Sequence, residues 1–245
     1  MNVTKNKPLT VEEFNVISDL FSQAITGEFI GMSNFAALAG TIEDPYEMME
    51  AVEHANSERM HAEGFMAYAK NKNLKININL NGEYWGNIRK HFLSYALQKD
   101  FIACLIIQEV MLESFAVSMY TDVGNALGYE AGELFLRIAD EEKEHLEHSS
   151  DILRAEMHKD PAAFINKFEE IHFKCMTILA QFSATIDLRG HCGVCNGDCM
   201  KDSLHHIGLD IVNLRGNAMA LYAGALDNIG IPGEKSTVWL AQLPA

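Results

Sequence analysis

Glu58 and His61, and again Glu142 and His145, form two Glu-x-x-His pairs. On a helix, residues three apart share a face, so each pair can offer a carboxylate oxygen and an imidazole nitrogen to one ion. That donor mixture suits iron, manganese or zinc, and a carboxylate-rich pocket shared by two ions favours a redox pair of irons or manganeses. A dinuclear site inside a helical bundle needs two further inward glutamates, one from each helix that accompanies a Glu-x-x-His helix. Glu28 lies 30 residues before Glu58, and Glu113 lies 29 residues before Glu142. Both sit among apolar neighbours, in AITGEFIGM and EVMLESFAV, where an unpaired carboxylate is costly to bury and calls for a cation or a proton.

The matching spacings predict two helix pairs related by pseudo-symmetry, with Glu28, Glu58, His61, Glu113, Glu142 and His145 as six inward metal ligands. A pair of Glu-x-x-His steps alone is weak, because glutamate is abundant and a third step occurs at Glu169 and His172. That third pair has no matching apolar-flanked glutamate and reads as a solvated helix face. Glu141, Glu144, Glu147 and His148 surround the second pair as surface residues or as groups that orient a ligand histidine. His54, one turn before Glu58, reads as a polar neighbour rather than a ligand.

The elements that must position these groups are helices; no convincing alternating strand is present. A first helix is expected from about Thr10 to Gly40, with Thr10 and Glu13 as a capping box. A second follows Asp44-Pro45 and runs to about Asn71. Residues 76–82 are Asn-rich and read as a loop. Helices then follow over about Glu83–Leu97, Asp100–Leu127, Glu130–His158 and from Asp160-Pro161 to Leu188. The Gly- and Cys-rich stretch 189–202 is a loop, and a last helix spans about Ser203–Asn228, stopped by Gly230 and Pro232. The predicted fold is all-α, a ferritin-like four-helix bundle with additional helices, in a single domain over residues 1–245.

Composition limits the partners. Nineteen basic against 34 acidic side chains leave a formal charge of −15, which argues against nucleic acid or an anionic membrane surface. The N-terminal MNVTKNKPLTVEE has no apolar signal core, and the longest apolar run, Phe101 to Ile107, falls far short of the ~20 residues a membrane span needs. A cytoplasmic protein is expected. Five cysteines do not read as a secreted disulfide framework. Cys104 and Cys175 fall on apolar helix faces as small core residues. His191, Cys192, Cys195 and Cys199 share one Gly-rich turn, and their spacing suits a structural zinc, with His205 or His206 as alternative fourth ligands, or a redox dithiol, the remaining alternative being unligated thiols.

The blocks ITGEFIGMSNF, ERMHAEGF, CLIIQEVMLESFAVSMY and DEEKEHL, with the tail ALDNIGI, resemble the cyanobacterial aldehyde-deformylating oxygenases, also called aldehyde decarbonylases. The resemblance runs from about Ala24 to Ile231 and keeps all six ligand positions. It implies an O2-activating enzyme with two iron ions that cleaves a fatty aldehyde to a hydrocarbon and formate; the donor residues themselves suit a mixed manganese–iron pair equally. It implies electrons from an external system such as ferredoxin and its reductase, and roles for Gln108 and Tyr120 beside the metals or the substrate. The chain departs from the family at Phe35, where a tyrosine is usual, at Met60, at Tyr68 and at Met119, where a small residue usually leaves room for the substrate chain. The Cys-rich turn is an insertion. Three other functions stay open at this point: a related oxidative reaction on a different apolar substrate, a ferroxidase or iron store without organic substrate, and a helical interaction protein with a structural metal. Small residues near Glu28 (Gly27, Gly31, Ala36, Ala37) leave space for a substrate or serve close helix packing.

Overall fold

The computed structural model describes residues 9–183 and 203–244. Every regular element among them is helical, in agreement with the all-α expectation. The helices are α1 (Val11–Ala39), α2 (Pro45–Asn71), α3 (Glu83–Leu97), α4 (Phe101–Leu127), α5 (Tyr129–Lys159), α6 (Pro161–Ser183), α7 (Ile211–Ile229) and α8 (Gly233–Ala241). The starts follow from sequence chemistry. Thr10 accepts from the Glu13 amide at 3.1 Å while the Glu13 carboxylate accepts from the Thr10 amide at 2.7 Å, closing the expected capping box. Asp44 accepts the amides of Tyr46 and Glu47 at 2.8 and 3.1 Å, with Pro45 in the first turn of α2. Asp100, Asp160 and Asp210 cap α4, α6 and α7 in the same way.

Two hairpins, α1–α2 and α4–α5, build the bundle, and α2 packs on α5 to join them. α3 crosses between the halves and packs against α1, while α6 and α7 cover the flanks and α8 closes on both. The α4–α5 hairpin is tight because Gly124 and Gly132 bring their backbones together: a Cβ on Gly132 would collide with the Gly124 carbonyl. Gly128, at φ +60°, makes the turn between them. The loop before α3 is strapped to α1, the Lys75 and Asn77 amides donating to Ser18 Oγ and Ser22 Oγ at 3.2 and 3.0 Å.

The chain differs from the expected helices in three places. Inside α4, residues Ile106–Leu112 widen into a π-helical stretch, closed where the Glu113 amide donates to the Gln108 carbonyl. The single helix expected over 203–228 is instead a 3₁₀ turn at Leu204–Ile207, a break at Gly208 (φ +81°), and α7. Pro232 does not end the helical structure. Gly230, at φ +98°, terminates α7, and Pro232 opens α8, because its fixed φ suits entry into a helix.

α4 is the one described helix long and apolar enough by length and composition to cross a membrane, but 83% of its most apolar window is buried inside the bundle. Two apolar clusters fill the interior. One gathers Phe21, Phe65, Phe135 and Tyr120; the other contains Phe35, Phe92, Met111, Phe168 and Trp239. Burying each such aromatic stabilises by roughly 2–3 kcal/mol. A polar layer lies between them, since Tyr120 of the first bonds to Glu28 and Phe35 of the second packs on His145 with ring centroids 5.7 Å apart.

Candidate metal centre

That polar layer contains the six residues singled out by spacing. α1 supplies Glu28, α2 supplies Glu58 and His61, α4 supplies Glu113, and α5 supplies Glu142 and His145; none is more than 5% exposed. They fall into two quartets, Glu28/Glu58/His61/Glu142 and Glu58/Glu113/Glu142/His145, the ligand atoms of each lying within 4.8 Å of one another. Glu58 and Glu142 belong to both. The geometry therefore has two foci with a shared pair of carboxylates between them, flanked by Glu28 and His61 on one side and by Glu113 and His145 on the other. His61 Nδ1 lies 3.2 Å from Glu28 Oε2 and 3.0 Å from Glu142 Oε1. Glu142 Oε2 and His145 Nδ1 lie 2.9 Å apart, yet neither makes a hydrogen bond: both are buried lone-pair donors aimed at the same space.

The surroundings fix this arrangement. On the far side of the His61 ring, Nε2 meets Glu141 Oε2 at 2.8 Å, which orients the ring so that Nδ1 is the nitrogen facing the cluster, where a bound cation would take the place of its proton. Gln108 donates to Glu113 Oε1 at 2.8 Å and is itself held by Asn34 Nδ2, which donates to Gln108 Oε1 at 2.7 Å. The Tyr120 hydroxyl donates to Glu28 Oε1. Gly31 makes room for Glu58, because a Cβ there would lie 2.6 Å from the carboxyl carbon. The π-helical stretch sets the register by which both Gln108 and Glu113 reach the cluster.

Four buried carboxylates demand positive charge. Burial, then the neighbouring carboxylates, raise Glu58 and Glu113 well above the usual range, although Gln108 opposes this at Glu113. Burial also works against the charged form of Glu142, but His145 and His61 outweigh it and hold Glu142 down to about 2. At His61 burial favours the neutral ring, and Glu142 and Glu28 overcome it, pushing the imidazole up to about 11. Protons spread over the cluster answer the charge only in part. The donor set of mixed carboxylate and imidazole, with aligned lone pairs, fits a pair of divalent transition-metal ions.

An apolar cavity adjoins this cluster. Glu28, Glu58, Glu113 and Glu142 of the cluster form part of its wall, together with apolar residues that include Trp85, Phe115, Met119 and Leu214. Met119 thus stands in the wall, as its sequence position suggested. Gly27 lines the cavity with Trp85 packed close beside it, a Cβ there meeting the indole ring at 3.5 Å, whereas Ala36 is exposed and takes no part. Gln108 and Tyr120 both line the cavity and touch the cluster.

Other expectations fare differently. His191, Cys192, Cys195 and Cys199 lie outside the described residues; His205 and His206 are exposed in the 3₁₀ turn. Cys104 and Cys175 are fully buried thiols, each pushed up to about 12 by burial, and are inert core residues. Glu169 and His172 are not a solvated face. His172 is fully buried, hydrogen-bonded to the Tyr222 hydroxyl at 2.9 Å, and Glu169 accepts from Trp239 Nε1 at 2.9 Å. The solvated-face reading missed that α7 and α8 fold over this side of α6. Asn34 and Glu109 were also missed: Asn34 is a single buried polar residue with no spacing signal of its own, whereas Glu109 stands one turn before Glu113.

A family model described as long-chain fatty aldehyde decarbonylase matches residues 14–174, roughly two thirds of the chain and all six clustered residues. Among solved structures the chain is similar to protein 19 with aldehyde deformylating oxidase activity from Synechococcus. The TM-score is 0.77 at 19% identity, over 95% of this chain and 98% of that one. At that identity the likeness speaks for the fold, which is the ferritin-like bundle expected from the sequence.

Proposed function

The chain belongs to the long-chain fatty aldehyde decarbonylase family; on that premise we propose that it is an aldehyde-deformylating oxygenase working with two iron ions held by Glu28, Glu58, His61, Glu113, Glu142 and His145. The observation that carries this reading is the pair of quartets sharing Glu58 and Glu142 in the wall of an apolar cavity. Four carboxylates with two neutral imidazoles balance two divalent cations, and two neutral ring nitrogens with carboxylate oxygens suit iron. A mixed manganese–iron pair satisfies the same donors.

When bound, the metal pair supplies the activation of O2. The protein's own residues supply the rest. The cavity wall takes up the alkyl chain and excludes water, so the aldehyde carbonyl is presented at the cluster and the chain points toward Met119 and Leu214. The bond between the carbonyl carbon and the alkyl chain breaks, the carbonyl carbon leaves as formate, and the chain leaves as a hydrocarbon one carbon shorter. The remaining oxygen atom leaves as water, with electrons from an external donor of the ferredoxin type. Tyr120 holds a proton at its hydroxyl, shared with Glu28, and burial and the surrounding carboxylates keep that proton in place. Gln108 and Asn34 hold Glu113 in one rotamer, and Glu141 orients the ring of His61.

An iron store needs no apolar cavity running from its metal cluster, and this feature with the family membership disfavours that alternative. The test is anaerobic loading of the full chain with ferrous iron, followed by O2, a reductant and a series of fatty aldehydes, with products read by mass spectrometry. Formate together with the hydrocarbon one carbon shorter is expected. O2 consumption without either product would overturn the substrate while sparing the metal site.

A further inference from the structure

One turn along the bundle from the six clustered residues lies a second polar group that the proposed reaction does not use. His54 precedes Glu58 by one turn on α2, Glu109 precedes Glu113 on α4, and His148 follows His145 on α5. Their ligand atoms lie within 4.8 Å of one another. His54 Nδ1 is 3.8 Å from Glu109 Oε1, and His148 Nδ1 is 3.7 Å from Glu109 Oε2. These separations are too long for hydrogen bonds, and His54 Nδ1, Glu109 Oε2 and His148 Nδ1 are all buried atoms without a hydrogen-bond partner. The Glu109 side chain is only 2% exposed. A buried carboxylate that meets two imidazoles only as loose ion pairs, beyond hydrogen-bond distance, is unusual, because buried polar atoms left without hydrogen bonds cost about 1–3 kcal/mol each.

An ion resolves all three at once. Two ligand atoms at ~2.1 Å from a tetrahedral ion stand about 3.4 Å apart, a few tenths of an ångström less than the separations here. Two imidazoles and one carboxylate on one side of an ion leave its remaining positions open, a ligand set suited to divalent iron, cobalt or zinc. The setting supports it. Phe35 forms the apolar fourth wall, its ring 5.1 Å from that of His54, and Glu47 Oε2 faces the outer nitrogen of His148 at 3.6 Å. His148, 32% exposed, gives the site an opening to solvent. The His54 ring lies against that of His145, tilted by 32° with centroids 4.1 Å apart, so the group abuts the main cluster without sharing a ligand with it.

We propose that His54, Glu109 and His148 form a third metal site, for a single divalent transition-metal ion, beside the dinuclear centre. The test uses the full chain, freed of metal and titrated anaerobically with Co(II), then desalted and analysed for bound metal. Replacing Glu109→Gln or His148→Ala is expected to lower the bound Co(II) by one equivalent per chain. The double variant Glu58→Ala/Glu142→Ala is expected to lose the dinuclear pair and still to lose one further equivalent when His148→Ala is added. If Glu109→Gln does not fold, His148→Ala, near the surface, decides alone. Unchanged metal content in His148→Ala overturns the proposal. A loss with His148→Ala but none in the Glu58/Glu142 double variant sustains the third site and overturns the dinuclear reading instead.

Discussion

Replacing Gly31 by alanine tests the shared-carboxylate geometry most directly. An alanine Cβ would lie 2.6 Å from both Cδ and Oε1 of Glu58, about 0.8 Å inside the 3.4 Å at which ordinary contact begins. A free glutamate would swing away at little cost. Glu58 is not free: it belongs to both quartets, and its carboxylate must keep its place between two foci. In the metal-free protein, crowding of about 1–3 kcal/mol is opposed by about 1 kcal/mol from the better helix propensity of alanine, so stability should fall by no more than about 2 kcal/mol. The metal-bound state should suffer more. A displaced ligand lowers metal affinity by roughly 10–100-fold, and a shift near 1 Å lowers turnover by about 10²-fold. Anaerobic Fe(II) titration, urea unfolding of the metal-free form and single-turnover formate yield measure the three quantities separately. Adding Glu58→Asp, one methylene shorter, should recover part of the affinity lost by Gly31→Ala while harming the parent. Wild-type metal affinity and turnover in Gly31→Ala would refute the reasoning.

Glu141→Ala should lower metal affinity roughly 10–100-fold with little change in unfolding midpoint, because Glu141 is 44% exposed and acts through the orientation of the His61 ring; equal affinity by Fe(II) titration would remove Glu141 from the site. Met119→Ala should shift preference toward longer aldehydes, seen in product distributions from mixed chain lengths, since Met119 stands in the cavity wall. His172 gives a pH signature far from the metals. Burial lowers its pKa to about 4, partly opposed by Trp239 and Glu169, so its contribution is full above the unfolded value of ~6.5 and is lost as pH falls from there through about 4, by roughly 3 kcal/mol in all. Urea midpoints of His172→Phe should fall less steeply than wild type over that window.

The six clustered residues were legible because a three-residue step and two apolar-flanked glutamates leave a mark in the sequence. Capping residues such as Thr10, Asp44 and Asp160 marked the helix starts for the same local reason. The π-helical stretch was not legible: Ile106–Leu112 is apolar enough that both helix types bury it equally well, and the choice is made by what packs around Gln108 and Glu113. His172 misled because its partners, Tyr222 and Trp239, lie some fifty to seventy residues away. The His54–Glu109–His148 group carried a signal that was overlooked. Each member stands one turn from a residue of the main cluster, and the three together repeat its layer.

α4 also bears on how the chain comes to be folded. Its 27 residues include a window of mean hydropathy 1.7, hidden because α5 and α7, with α3, α6 and α1, surround it. During synthesis the α1–α2 hairpin can assemble while α4 is still being made, but α5, its principal partner, follows α4 in the chain. For that interval a long greasy segment with Glu109 and Glu113 in its middle is presented to the translation machinery, to chaperones and to targeting factors that survey nascent chains. The two acids that the mature bundle gathers toward its polar layers then act as a brake on mistaken membrane insertion, since each adds an estimated ~2.5–3.5 kcal/mol at the centre of a span.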